Sequence, residues 1–170
     1  MKRVYVLLTA LVLATGCTSS TTAPAANDNR PQFVANLLPS SEVPPVTNAE
    51  STASGAAIIN FNLTKDGTGT ITAATVDFSV ELSGFPASST ITNAHIHPGA
   101  AGVNGGVLVN AQAGSGTVTL TNGVGTFSRQ GLPITAANAQ AIINNPAGFY
   151  FNVHTTLNPG GVMRGQLVRQ

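Results

Sequence analysis

From Gly55 onward the chain alternates with period two: Ala57, Ile59, Phe61 and Leu63 fall on one face, and Ile58, Asn60, Asn62 and Thr64 on the other. That is the signature of a half-buried strand. The segment Lys65-Asp66-Gly67-Thr68-Gly69 predicts a tight hairpin, with Asp66-Gly67 supplying the positive-φ positions. In the returning run Ile71 and Ala73 share one parity, whereas Val76, Phe78, Val80 and Leu82 share the other. A β-bulge or a break near Ala73-Ala74 is therefore expected, because one extra residue flips every later side chain. Upstream, residues 32–38 read as a first strand ended by Pro39. Residues 42–46 cannot be a central strand, since Pro44 and Pro45 remove two ladder donors. Downstream, short strands are expected around Val107, Val109 and Ala111, over residues 117–121 and 124–127 about Asn122-Gly123, and over residues 162–168. Residues 135–145 form the single helical candidate: Thr135 caps it, four alanines favour it and Pro146 stops it. The pattern predicts an all-β fold, an antiparallel Greek-key sandwich or barrel with one short helix near residues 135–145.

Two of the predicted strands carry all three histidines. In Ala94-His95-Ile96-His97-Pro98 the imidazoles face one way and Ala94 and Ile96 the other. In Phe149-Tyr150-Phe151-Asn152-Val153-His154, the Phe149, Phe151 and Val153 side chains oppose those of Tyr150, Asn152 and His154. If the two strands are neighbours, His95, His97 and His154 converge, the minimum constellation for a copper or zinc site. A fourth ligand would be water, Glu42 or a backbone carbonyl. The competing reading is structural: His95 and His97 bond carbonyls of the glycine-rich loop after Pro98, and His154 caps the Thr155-Thr156 turn. Arg164 is expected to pin the turn at residues 158–161 by donating to carbonyls, with anion steering as the alternative. Asn104 and Asn152 read as hydrogen-bonders, Glu42 as a brace for the prolines, and Asp77 and Glu81 as solvent-facing. No paired-carboxylate site, nucleophile triad or nucleotide fingerprint is present. The loop at 98–106 lacks the Lys-Ser/Thr ending of a phosphate loop.

Charged residues make up 8% of the chain and aromatics 5%, with no tryptophan. Against about 25% charged in ordinary soluble domains, this leaves a Thr/Ser/Asn/Gly surface suited to an extracytoplasmic β-protein. Residues 1–16 have signal-peptide architecture: Lys2-Arg3, an apolar run too short to span a bilayer, then small residues before Cys17. Leu13-Ala14-Thr15-Gly16-Cys17 resembles the bacterial lipobox, although Ala14 stands where leucine is usual. The resemblance implies acylation of Cys17, the only cysteine, as the first mature residue. Residues 17–31 then form a flexible Ser/Thr/Ala/Pro-rich tether, and the domain proper runs over 32–170. Without Lys2 and Arg3, five basic residues face six acidic ones. No nucleic-acid partner is implied. The expected location is the bacterial cell envelope, lipid-anchored and facing the periplasm or cell surface, with an envelope protein or a small ligand as partner.

Three separated blocks carry a family resemblance: Leu38-Pro39-Ser40-Ser41-Glu42-Val43-Pro44-Pro45-Val46; Ala94-His95-Ile96-His97-Pro98-Gly99 with Asn104-Gly105; and Phe149-Tyr150-Phe151-Asn152-Val153-His154-Thr155 with the segment Asn158-Pro159-Gly160-Gly161-Val162-Met163-Arg164-Gly165-Gln166-Leu167. Together they resemble the CHRD domain, which is named after chordin and also occurs singly in bacterial exported proteins. Met163 departs from the usual acidic residue before the arginine. The resemblance implies a membrane-anchored CHRD lipoprotein acting as a binding or structural module. A second likeness concerns chemistry. The spacing of His95, His97, His154 and Arg164 is similar to the copper half of copper/zinc superoxide dismutase, itself a Greek-key β-protein. It implies a mononuclear copper or zinc protein with redox or superoxide-related activity, and Arg164 as the cation guiding an anion. The bridging histidine, zinc cluster and disulfide of that family are absent.

Overall fold

The computed structural model describes residues 29–170. The expected signal peptide, Cys17 and most of the tether lie outside the described residues. Two antiparallel sheets pack face to face as a sandwich. The first has five strands: β1 (Gln32–Leu37), β2 (Ser54–Lys65), β3 (Ile71–Ser83), β6 (Gly125–Ile134) and β9 (Val168–Arg169), in the order β6-β3-β2-β1-β9. The second has four: β4 (Ile91–Pro98), β5 (Val109–Asn110), β7 (Phe149–Thr155) and β8 (Met163–Gln166), in the order β5-β4-β7-β8. Helix α1 (Ala136–Asn144) connects β6 to β7. The all-β architecture and the helix agree with the sequence pattern. Thr135 caps the helix by accepting from the Asn138 amide.

The core lies between the sheets. Ala57, Ile59 and Phe61 of β2, Val76, Phe78, Val80 and Leu82 of β3, Ala94 and Ile96 of β4, and Phe151 and Val153 of β7 are all buried there. Phe33 meets Phe61 edge-on at 5.5 Å, and Phe78 meets Phe151 at the same distance across the sheets. These aromatic pairs add to the burial that holds the layers together.

The parity switch in the second long strand is a bulge within one continuous strand. Thr64 pairs Ala73 while Lys65 pairs Ile71, so Thr72 is the extra residue, one position earlier than expected. The hairpin differs in mechanism: the positive φ belongs to Gly69, at 87°, not to Gly67. Asp66 accepts from the Thr68 and Thr70 amides, which builds a longer turn closed by a glycine bulge in place of a two-residue one.

Three expected strands are redrawn. Residues 117–121 form no strand; only Thr121 bridges Val124, around a turn in which Asn122 and Gly123 take φ of 52° and 77°. The strand expected at 124–127 runs on to Ile134, through Gly131 and Pro133. It can do so because β6 is an edge strand, where a proline costs no ladder bond. A register irregularity spans Val76 and Phe78 there, with Asp77 accepting from the Gly131 amide at 2.8 Å and from Asn62 at 3.0 Å. Asp77 is therefore engaged, whereas Glu81 is exposed as expected. Finally, the single last strand expected over 162–168 is two: β8 pairs β7 in one sheet, β9 pairs β1 in the other, and buried Leu167 forms the corner. Gly165 of β8 permits this crossing, since a Cβ there would lie 2.1 Å from the Asn36 carbonyl oxygen of β1.

Candidate metal centre

β4 and β7 are neighbours in register, with His95 opposite Asn152, His97 opposite Tyr150 and Asn93 opposite His154. Paired residues point to the same face, so alternation places Ala94, Ile96, Phe151 and Val153 in the core and gathers the imidazoles outside. His95, His97 and His154 each offer a ring nitrogen such that the three nitrogens lie within 4.8 Å of one another. The expected convergence is thus present in the geometry. His95 and His154 sit edge to face at 5.0 Å between centroids, and His95 and His97 at 5.4 Å.

This outer face is largely covered, His154 staying half-buried. The loops at 39–50, 98–106 and 156–161 cover it, so His95 and His97 are buried. His97 Nδ1 faces the Gly105 carbonyl at 3.1 Å and His154 Nδ1 faces the Pro159 carbonyl at 2.9 Å. A carbonyl only accepts, so both rings carry their proton on Nδ1 and keep a lone pair on Nε2. His95 Nδ1 lies 3.1 Å from His154 Nε2. His97 Nε2 is buried with no hydrogen-bond partner.

Burial pushes all three imidazoles below the ordinary histidine range. For His95, burial together with the neighbouring His154 and His97 carries it down to about 4. For His97 the burial effect is opposed by the backbone at Gly105 and Gly106, and for His154 by the Pro159 carbonyl and the Glu42 charge. The rings are neutral near pH 7, the state in which imidazole ligates metal. Because the unfolded chain takes up these protons near pH 6.5 and His95 in the fold only near 4, the unfolded state binds more protons between those limits. Stability of the metal-free protein is therefore expected to fall as pH drops through that window, by roughly 2–3 kcal/mol from His95 alone. Urea midpoints of wild type and His95→Gln, compared at both ends of the window, check this; a parallel loss in both proteins would contradict it.

The supporting residues form one network. Arg164 is buried and donates from Nε to Glu42 Oε2 at 2.8 Å, with Nη2 at 2.7 Å from the same oxygen. It also donates to Asn104 Oδ1 at 2.7 Å and to the Val103 carbonyl at 3.3 Å, and its guanidinium lies 4.2 Å over the Tyr150 ring. The sequence expectation is corrected here: Arg164 pins Glu42 and the 98–106 loop, not the turn at 158–161. Nor is it placed to steer anions, since a carboxylate already neutralises it. Glu42 Oε1 accepts from Asn152 Nδ2 at 2.5 Å, so both carboxylate oxygens are committed within the network. Asn104 donates to the Val43 carbonyl at 3.0 Å, which ties down the proline segment.

Two contributors were not foreseen from sequence. Glu50, fully buried, accepts from Ser89 at 2.5 Å and from Thr155 and Asn158 at 2.6 Å. It holds the turn that presents Pro159 to His154. Tyr150 stacks on His97 at 5.0 Å with an interplanar angle of 7°, and its hydroxyl accepts from the Gly105 amide at 3.2 Å. The placement of Tyr150 on the histidine face was legible by alternation; nothing local marks Glu50.

No curated protein and no solved structure matches the chain. The family model for the CHRD domain matches residues 33–167, which takes in every strand of the sandwich but the last and all of the histidine network. On that match, the chain belongs to the CHRD domain family.

Proposed function

We propose that the protein is a metal-binding module of the bacterial cell envelope, tethered through Cys17 and holding one copper or zinc ion at His95, His97 and His154. The observation that supports this most directly is the convergence of three neutral imidazoles within 4.8 Å, one of them with a buried nitrogen that no protein group satisfies. Nitrogens about 2.0 Å from a shared tetrahedral ion lie about 3.3 Å apart. The His95–His154 pair already has that spacing, at 3.1 Å, and the widest separation has about 1.5 Å or less to close. Carbonyls holding the far nitrogens of His97 and His154 are the supports that ligating histidines ordinarily have. Such an all-imidazole set suits copper and zinc, copper(II) the more strongly. A bound ion would supply a Lewis-acidic centre with one position open to a small ligand and, as copper, a one-electron couple.

Tag-free protein equilibrated with copper or zinc and then desalted is expected to retain about one equivalent by metal analysis. Protein that emerges metal-free would end the metal reading and leave a tethered β-sandwich binding module. The tether is supported by residues 1–17, whose lipobox-like ending contains the single cysteine, Cys17. Radioactive palmitate should label the wild type and not Cys17→Ala; equal labelling of the two would refute the anchor.

A further inference from the structure

The charge around the three imidazoles decides which ion suits them. Resting on the metal reading, we infer that the site takes copper in its monovalent state, held by three neutral ring nitrogens with no anionic donor beside them.

Among the described residues, His95, His97 and His154 are grouped by themselves: no carboxylate oxygen joins their nitrogens. Glu42, whose charge reaches His154, has both oxygens engaged, Oε1 by the Asn152 amide and Oε2 by Arg164. Drawing it away to a metal would strand the buried guanidinium. Glu50 is engaged in the same way by Ser89, Thr155 and Asn158. The Gly105 and Pro159 carbonyls accept from Nδ1 of His97 and of His154, so they back those rings and leave Nε2 to the ion. The site thus offers three nitrogens and no negative charge.

The rings are neutral and Arg164 cancels Glu42, so whatever charge the ion brings stays uncompensated on a largely covered face. The cost of desolvating an ion grows with the square of its charge, about fourfold from one unit to two. A divalent ion must import its own anion, hydroxide or chloride, past the loops at 39–50, 98–106 and 156–161; a monovalent one needs none. Coordination number points the same way. Copper(II) favours a tetragonal set, which three nitrogens cannot complete, whereas the filled shell of copper(I) imposes no such geometry and accepts three. Zinc(II) also has a filled shell but carries the second charge. Copper(II) leads zinc for these donors, so the expected order of affinity is copper(I), then copper(II), then zinc.

The test uses tag-free protein with its tether, carrying Cys17→Ser so that no thiol competes for a soft ion. Under argon, copper(I) affinity is read against a chromogenic copper(I) chelator, and copper(II) and zinc affinities against chelators for those ions at the same pH. Copper(I) should bind at one equivalent and about 100-fold more tightly than copper(II), which sets the one-electron potential of the bound ion about 120 mV above that of the free couple. Voltammetry reads that shift independently, and X-ray absorption of the copper(I) form should show three nitrogen neighbours. Copper(II) or zinc bound as tightly as copper(I) overturns the inference, as does a fourth close neighbour in the copper(I) spectrum. In both of those cases the metal reading survives. Protein that retains none of the three ions overturns both, and so does an unchanged copper(I) affinity when His95→Ala, His97→Ala and His154→Ala are combined.

Discussion

Arg164→Ala is expected to cost about 3–5 kcal/mol of folding stability, the usual effect of removing one partner of a buried ion pair. The loss is not the value of the pair but the penalty on what stays behind. Glu42, 4% exposed, would be left with only the Asn152 amide to satisfy its carboxyl group. Asn104 Oδ1 and the Val103 carbonyl would lose their donor at the same time, releasing the 98–106 loop and with it the carbonyl that orients His97. For a domain of this size the melting temperature should drop by about 10–20 °C. The double change Arg164→Met with Glu42→Leu should recover much of it, because an apolar pair leaves no stranded charge. If the single variant melted like the wild type, the network would be ornamental and the loops would be held by something else.

Replacing all three histidines, in His95→Ala, His97→Ala and His154→Ala combined, should abolish the retained equivalent of copper or zinc while leaving the sandwich folded. The ligands sit on the outer face of β4 and β7, and the core is built from the alternate residues, so the scaffold does not depend on them. A metal present at about 100 times its dissociation constant adds about 2.7 kcal/mol to the wild type. The triple variant should show no such gain in a melting series with and without metal. Equal stabilisation of both proteins by the metal would place binding elsewhere and sink the three-histidine centre.

Much of this molecule could be read from local pattern. Alternation alone identified β2, β3, β4 and β7, assigned the correct face to each histidine, and located the bulge at Thr72 to within a residue or two, because period two is a purely local property of extended chain. Thr135 and Pro146 bounded the helix for the same reason. What escaped was set by contacts distant in sequence. Arg164 and Glu42 are 122 positions apart, and Glu50 meets Thr155 across 105. No spacing rule links such residues, since loops rather than strands bring them together. The break at Leu167 escaped too, because an alternating run looks the same whether its ladder partner belongs to one sheet or to two.

The borders of the two sheets carry a consequence of their own. β9 and β5 have two residues each, β8 has four, and β6, though ten residues long, carries a register irregularity and Pro133, which has no amide to offer. Few unpaired amides in sequence are left there for a foreign ribbon to zip onto. A protein with so little charge to repel its own kind can thus remain dispersed when many copies crowd together, its resistance to fibril growth built into the backbone rather than the surface.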